Sequence, residues 1–404
     1  MQSFLQLVAH DLYTKIGNDL SRTALVFPNK RANLFFNEYL AGESDQPIWS
    51  PAAMSISDLF QKLSVQKSGD PIRLVCELYK VFKEETQSQE TLDDFYFWGE
   101  LLISDFDDVD KNMVDADKLF SNLQDLKNLM DDYEFLDKEQ EEAIQQFFQN
   151  FSIEKRTELK EKFISLWDKL GTIYHRYRAN LTDLDIAYEG MLYRNVIEQL
   201  DTDQLKYDKY IFVGFNVLNK VENVFFRKLK DAGKALFYWD YDIFYTQQIK
   251  KHEAGEFLKR NLEEFPNELP ESFFNTFKEP KKIRYISAST ENAQARFLPE
   301  WIKAITNDHS QIAIEKEKEN AVVLCNEALL LPVLHSIPQE VKNVNITMGF
   351  PLAQTPVYSF INAAMELQTN GYRSDTGRFT YEAVSAILKH PYTRQISSHA
   401  GPLE

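Results

Sequence analysis

Apolar positions along the chain fall into two rhythms. Phe4, Leu5, Val8, Leu12 and Ile16 recur at helical spacing. Ala24 to Phe27 is a short apolar run closed by Pro28, and Leu34, Phe35 and Leu40 mark one side of the next helix. This predicts a helix followed by a strand–loop–helix unit. From residue 55 to 200 the period is 3.6 almost throughout, as in Leu74, Leu78, Val81 and Phe82, then Phe147, Phe148 and Phe151, then Phe163, Leu166, Trp167 and Leu170. That stretch is expected to be an all-helical insertion in an α/β unit. Strand patterns return at Tyr210 to Val213 and Ala235 to Tyr238, around a helix near 220–232 that Gly233 is placed to cap. Such β–α–β spacing implies a parallel sheet with right-handed crossovers.

Beyond residue 265 the pattern changes. Residues 266–282 carry three prolines and read as a linker. A second α/β series follows, with strands expected at 283–287 and 320–325, a helix at 291–305, and a further short segment from Val344 to Thr347 before Gly349-Phe350-Pro351. The expected organisation is a first α/β lobe from 1–54 and 201–265, a helical insertion at 55–200, the linker, a second α/β lobe at 283–355, and the start of a second helical insertion at 356–402. Leu403-Glu404 reads as a cloning scar, so the sequence is expected to be a fragment.

Composition narrows the function classes. The 404 residues argue for two or three domains, and 44% hydrophobic and 13% aromatic content supplies the cores. Thirteen glycines are about half the usual share of ~7%, which leaves few loops able to cradle phosphate. The formal net charge of −17 disfavours a bulk electrostatic coat of nucleic acid while leaving room for one basic groove. Cys76 and Cys325 are far apart without a CxxC, which suits a reducing, cytoplasmic setting. Polar and acidic residues interrupt the N-terminal helix, so it reads as neither signal peptide nor membrane span.

Few chemical motifs survive inspection. Gly233-Lys234 is the only Gly-Lys pair and lacks the rest of a phosphate loop. Asp108, Asp110 and Asn112 match the first half of a calcium loop, but Met113 and Leu119 stand where its glycine and closing glutamate belong. The acidic run 105–110 reads better as a solvated helix start or an interdomain polar contact. The seven histidines form no HxxxH or Cys-His grouping. Asn29, Lys30 and Arg31 emerge at the end of the first strand, where they suit contacts to an anionic strand or equally a charged helix start. Trp239, Tyr241, Phe244 and Tyr245 suit base stacking or the core of a sheet edge. After the strand 210–213, the address of a magnesium-binding acid holds Gly214, Phe215 and Asn216.

Taken in order, these segments resemble a superfamily 1 helicase core of the UvrD type. VFPNKRA (26–32) resembles motif Ia, T-F-T-N-K-A-A, which lines the single-stranded DNA track. YIFVGFNVLNKVENVFFRKL (210–229) occupies the Walker B place, and YWDYDIFY (238–245) is similar to motif III, with Trp239-Asp240 for Gly-Asp and Asp242 or Ile243 near the missing glutamine. The segments YISASTENAQARFLPEWI, ENAVVLCNEALLLPVLHSI and VNITMGFPLAQTP resemble a second lobe. With no Walker A loop and a degenerate Walker B, the pattern resembles AddB (RexB) subunits of AddAB helicase–nucleases, PD-(D/E)XK nuclease family proteins of Bacteroidetes among them, with RecC more distant.

The resemblance implies two RecA-like lobes without ATP hydrolysis. DNA contact would come through Asn29, Lys30 and Arg31, with Trp239 and Tyr241 as stacking residues, and the degenerate nucleotide site would comprise Gly214, Phe215 and Asp240. It implies an AddA-like helicase–nuclease partner, DNA ends as ligand and no membrane. It also implies a nuclease domain beyond residue 404 with Mg2+ and often an iron–sulfur cluster, so no catalytic residue, metal site or cofactor is expected in this sequence. A pure interaction scaffold and a metal-dependent hydrolase using Asp105–Asp110 are the rivals.

Overall fold

The structure, a computed structural model, describes residues 2–120, 156–248, 252–306 and 320–396. Phe147, Phe148, Phe151, His309, His399 and Leu403-Glu404 lie outside them. The chain divides into two units, Met1–Pro280 and Lys281–Glu404.

The first unit is built on a four-stranded parallel sheet. α1 (Phe4–Ile16) leads to β1 (Thr23–Phe27), α2 (Ala32–Ala41), β2 (Ala52–Ser55) and α3 (Ile56–Leu63). β5 (Lys209–Val213), α8 (Lys220–Asp231), β6 (Ala235–Tyr238) and α9 (Glu253–Glu264) complete it. Between them lie β3 (Lys67–Ser68), α4 (Pro71–Thr86), α5 (Leu92–Lys111), α6 (Arg156–Asp183), β4 (Ile186–Ala187) and α7 (Glu189–Gln199). The strand order is β2-β1-β5-β6, all parallel, with Val26 opposite both Met54 and Phe212, and Val213 opposite Tyr238.

Alternation along each strand explains the layers. Leu25, Phe27, Ile211, Val213 and Tyr238 face α1 and α2, where Val8, Leu12, Phe36 and Leu40 are buried with them. Ala24, Val26, Tyr210, Phe212, Phe237 and Trp239 face the other way, into a core shared with α3, α7 and α8. Burial on both faces is what a parallel sheet requires, and each fully buried aliphatic or phenyl side chain contributes roughly 1.5–3 kcal/mol. Because the same core continues into α4, α5 and α6, the helical insertion is joined to the sheet rather than tethered beside it. β2 was not expected from the sequence; Ala52 and Ala53 carry almost no strand signal, and pairing with β1 makes the element.

Residues 266–282, expected as a linker, are fastened to the sheet in their first half. The Glu268 N–H donates to the Phe237 carbonyl at 2.9 Å, and the Asn267 side chain bonds both the N–H and the carbonyl of Trp239 at 3.1 Å. Leu269 and Phe274 are buried. An edge strand's polar groups need partners, and this segment supplies them. The acidic run 105–110, expected as a solvated helix start or an interdomain polar contact, is not a helix start, for it forms the C-terminal half of α5. Helical geometry turns Asp110 away from Asp108 and Asn112, which share a face, the Asn112 side-chain amide donating to the Asp108 carbonyl at 2.9 Å.

The second unit contains α10 (Glu291–Arg296), α11 (Leu298–Thr306), α12 (Leu330–Ser336), α13 (Pro356–Thr369), β7 (Tyr372–Arg373), β8 (Arg378–Phe379), α14 (Tyr381–Leu388) and α15 (Thr393–Ile396). The helix expected at 291–305 is broken at Phe297, two residues before Pro299, which cannot donate a helical hydrogen bond. Residues 283–287 and 320–325, expected as strands, and the short segment 344–347 belong to no strand or helix. Ile283, Tyr285, Val323 and Val344 stay exposed, whereas parallel strands depend on having both faces covered.

Candidate functional site

The sheet reverses its order between β1 and β5: β2 lies outside β1, and β6 outside β5. In open α/β sheets the crevice at the carboxyl ends of such a pair is the favoured place for a ligand. Its walls here are the residues that follow β1 and β5.

After β1, the Asn29 side-chain oxygen accepts from the N–H groups of Arg31 and Ala32 at 3.1 and 3.3 Å, an Asx turn that starts α2. Asn29 and Lys30 are exposed and Arg31 is half-buried. The Lys30 side chain, 76% exposed, places its Nζ 3.0 Å from Asp58 Oδ1. Asp58 stands in the first turn of α3, after β2, where it and Ser55 cap each other. The Asp58 N–H donates to Ser55 Oγ at 3.2 Å, while Asp58 Oδ2 accepts from the Ser55 hydroxyl at 2.7 Å and the Ser55 N–H at 3.2 Å. The Ser55 hydroxyl bond, opposed by burial and assisted by Lys30, holds the Asp58 carboxyl below the usual aspartate range.

After β5, Gly214 adopts φ +73°, and its N–H donates to the Tyr238 carbonyl at 2.9 Å. A side chain would be strained there by the backbone angle, although space exists, since an added Cβ would sit 3.7 Å from the Phe4 ring. Phe215 is 4% exposed and meets the rings of Phe212 and Phe226 at 6.2 and 5.3 Å. Its side chain belongs to the core, so this position does not fit a magnesium–nucleotide site. The Asn216 carbonyl accepts from Asn261 Nδ2 at 2.6 Å, which ties the loop to α9.

After β6, Trp239 is 1% exposed, and its indole N–H donates to the Phe265 carbonyl at 2.8 Å. It is a core residue and unavailable for stacking on a base, because its ring faces the inner layer of an alternating strand. Tyr241 is half-buried and stacks on Phe274 with centroids 4.4 Å apart. Asp240 is exposed at the strand's end, yet the chain around its carboxyl desolvates it enough to push its pKa upward. Asp242 acts as a clasp. Its Oδ2 accepts from the N–H groups of Thr276 and Phe277, both at 2.9 Å, and its Oδ1 from the Phe244 N–H at 2.9 Å.

The structure thus brings Asn29, Lys30, Arg31 and Gly214 to one edge, and withdraws Phe215 and Trp239 from it. Asp58 was not singled out in the sequence; the pattern Ser55-Ile56-Ser57-Asp58 before an apolar helix is the signal that points to it. Asp110, fully buried, is the other charged residue that the sequence misplaced. It accepts from the hydroxyls of Tyr174 at 2.6 Å and Tyr188 at 2.5 Å, and pairs with Arg178 and Arg194. Burial, then Asp110, pushes Tyr174 up to about 12. All its oxygens are engaged within the protein, so it has none to offer a cation.

Among the described residues, no group of three His, Cys, Asp or Glu side chains is placed to hold a metal ion. No described helix is long and apolar enough to cross a membrane. No protein-family model matches the chain, and no curated protein matches it.

Proposed function

We propose that the chain is the non-hydrolysing, helicase-like module of an AddB-type helicase–nuclease subunit, which guides DNA and docks the active AddA-like subunit during double-strand-break end processing and recombinational repair in the cytoplasm. The observation that carries this reading is the division of labour at the carboxyl edge of the sheet. A turn with exposed Asn29 and Lys30 and half-buried Arg31 opens on the crevice beside β1, while Gly214 and buried Phe215 occupy the place of a catalytic acid after β5. Such an edge can touch a phosphate chain and carries no acid at the position directly after β5. The first unit is read as the first RecA-like lobe. For the second unit, the reading of a matching lobe rests on the order of apolar segments in the sequence.

The test is fluorescence anisotropy of labelled single-stranded DNA at two salt concentrations, wild type against Lys30→Ala, with an ATPase assay alongside. Salt-dependent binding weakened by the substitution, without ATP turnover, supports the reading. Turnover overturns it. The net charge of −17 favours a second reading, a pure scaffold for the partner subunit, for which neither protein binds DNA at low salt.

A further inference from the structure

One helix of the insertion carries an apolar ridge on its outward side. Phe95, Gly99, Phe106, Val109 and Asp110 bury one side of α5 against its neighbours. Helical spacing places Asp94, Phe97, Trp98, Leu101, Asp105 and Asp108 on the opposite, exposed side. Phe97 is 68% exposed and Leu101 43%, and the Trp98 ring meets the Phe97 ring edge-on with centroids 5.8 Å apart. Large apolar side chains grouped on a polar rim mark a contact surface.

The charge along this ridge has one sign. Asp94 caps the helix with Thr91, Asp110 lies in its buried network, and the helix's one lysine, Lys111, is engaged by Asp107 and Glu189. Asp105 and Asp108 follow Leu101, and among the described residues neither carboxylate accepts a hydrogen bond or meets a cation. Burial, then the Asp108 charge, pushes the Asp105 carboxyl upward, so a cation brought to the pair is favoured.

Complementarity selects the occupant. A nucleic acid or an anionic lipid surface would meet like charge. A second copy paired through the same face would bring the acids of two copies together. The segment that follows in the chain, residues 121–155, is itself net acidic. A basic amphipathic segment of another polypeptide fits, with apolar side chains on Phe97 and Leu101 and Lys or Arg on Asp105 and Asp108.

We propose that the outward side of α5, from Phe97 to Asp108, is a docking surface for a basic amphipathic segment of a partner protein. The proposal rests on the docking part of the reading above and gives the partner subunit a place and a chemistry.

The experiment titrates the full chain with an amphipathic Leu/Lys peptide and with its Leu/Glu counterpart, by calorimetry at two salt concentrations. It compares wild type, Phe97→Ala, the double variant Asp105→Asn with Asp108→Asn, and a control, Glu253→Gln with Glu263→Gln, that removes equal charge from α9. Circular-dichroism melting confirms that each is folded. Wild type is expected to bind the Leu/Lys peptide and not the Leu/Glu one. Phe97→Ala is expected to weaken that binding roughly 30-fold. The Asp105 and Asp108 variant is expected to weaken it roughly 2- to 30-fold, more at low salt, with the control unchanged. An equal loss in the control reduces the effect to bulk charge and overturns the proposal. Unchanged affinity in Phe97→Ala, or no peptide binding by wild type, also overturns it. Wild-type dimers that Phe97→Ala abolishes in sedimentation velocity give the face to a second copy instead. The same method is then applied with an AddA-like subunit added. A complex that Phe97→Ala weakens supports the surface, and one that it leaves unchanged overturns the surface and keeps the docking reading. Peptide binding as expected, with no complex formed, keeps the surface and removes the docking reading.

Discussion

Lys30 Nζ lies 3.0 Å from Asp58 Oδ1, so the cation at the mouth of β1 is held by the residue that caps the helix after β2. Removing the acid releases the lysine. Asp58→Asn is expected to tighten single-stranded DNA binding at low salt while Lys30→Ala weakens it, and anisotropy titrations of both variants check the opposite signs.

The same carboxylate makes a pH prediction. Asp58 has a folded pKa below its unfolded value, so its contribution to stability is complete above the unfolded value and is lost as pH falls through the folded one. Urea midpoints of wild type and Asp58→Asn are expected to differ at pH 7 and to converge below about pH 4, near the ordinary aspartate range.

Asp110 joins α5 to α6 and α7 through Arg178, Arg194, Tyr174 and Tyr188. Asp110→Ala removes the fully buried carboxylate that two half-buried guanidinium groups and two tyrosine hydroxyls share, and is expected to cost about 3–5 kcal/mol, read from urea unfolding. Tyr174→Phe removes one hydrogen bond to the charged group and is expected to cost about 1.5–3 kcal/mol. Isothermal titration of wild type with calcium is expected to show no heat from this run of acids.

Trp239 separates packing from binding. Trp239→Phe leaves the Phe265 carbonyl without its indole donor and is expected to destabilise by about 1–3 kcal/mol, with single-stranded DNA affinity unchanged. Thermal melting and anisotropy on the same preparation read the two effects apart. A large affinity loss in a fully folded variant would place the indole on the DNA after all.

Phe215→Glu restores an acid near the expected magnesium address and is expected to fail as a gain of function. The carboxylate would enter the ring cluster of Phe212 and Phe226, so the outcome is a markedly lower melting temperature and no Mg2+-dependent ATP turnover.

Gly190 tests the packing of α5 on α7 within the helical insertion. A Cβ there would sit 2.4 Å from the Asp107 main-chain oxygen, and a backbone atom cannot swing aside. Gly190→Ala is expected to cost about 1–3 kcal/mol as α5 and α7 are forced apart, measured by urea unfolding.

The central strands were legible because a parallel strand buried on both faces leaves an apolar run. Ala24–Phe27, Tyr210–Val213 and Ala235–Tyr238 are such runs, and each is a strand within a residue of the expected bounds. The helical character of 55–200 was legible from its period, and α3 to α7 bear it out across the described residues. β2 was not, because Ala52 and Ala53 become a strand only by pairing with β1. The strands expected after 283 show the reverse error, since apolar character alone does not supply a covering layer.

At the candidate site the sequence by itself determined which chemistry is present: no phosphate loop, Gly214-Phe215 after β5, and Asn29-Lys30-Arg31 after β1. It could not decide which side chains reach the surface. The alternation of β6 turns Trp239 inward, Tyr241 is taken up by Phe274, and Lys30 is met by Asp58 from a strand that only pairing reveals. Whether an aromatic ring stacks on a ligand or fills a core, and whether an acid meets water or a guanidinium, depends on contacts between residues far apart in sequence. Those contacts exist only once the layers have closed on the sheet.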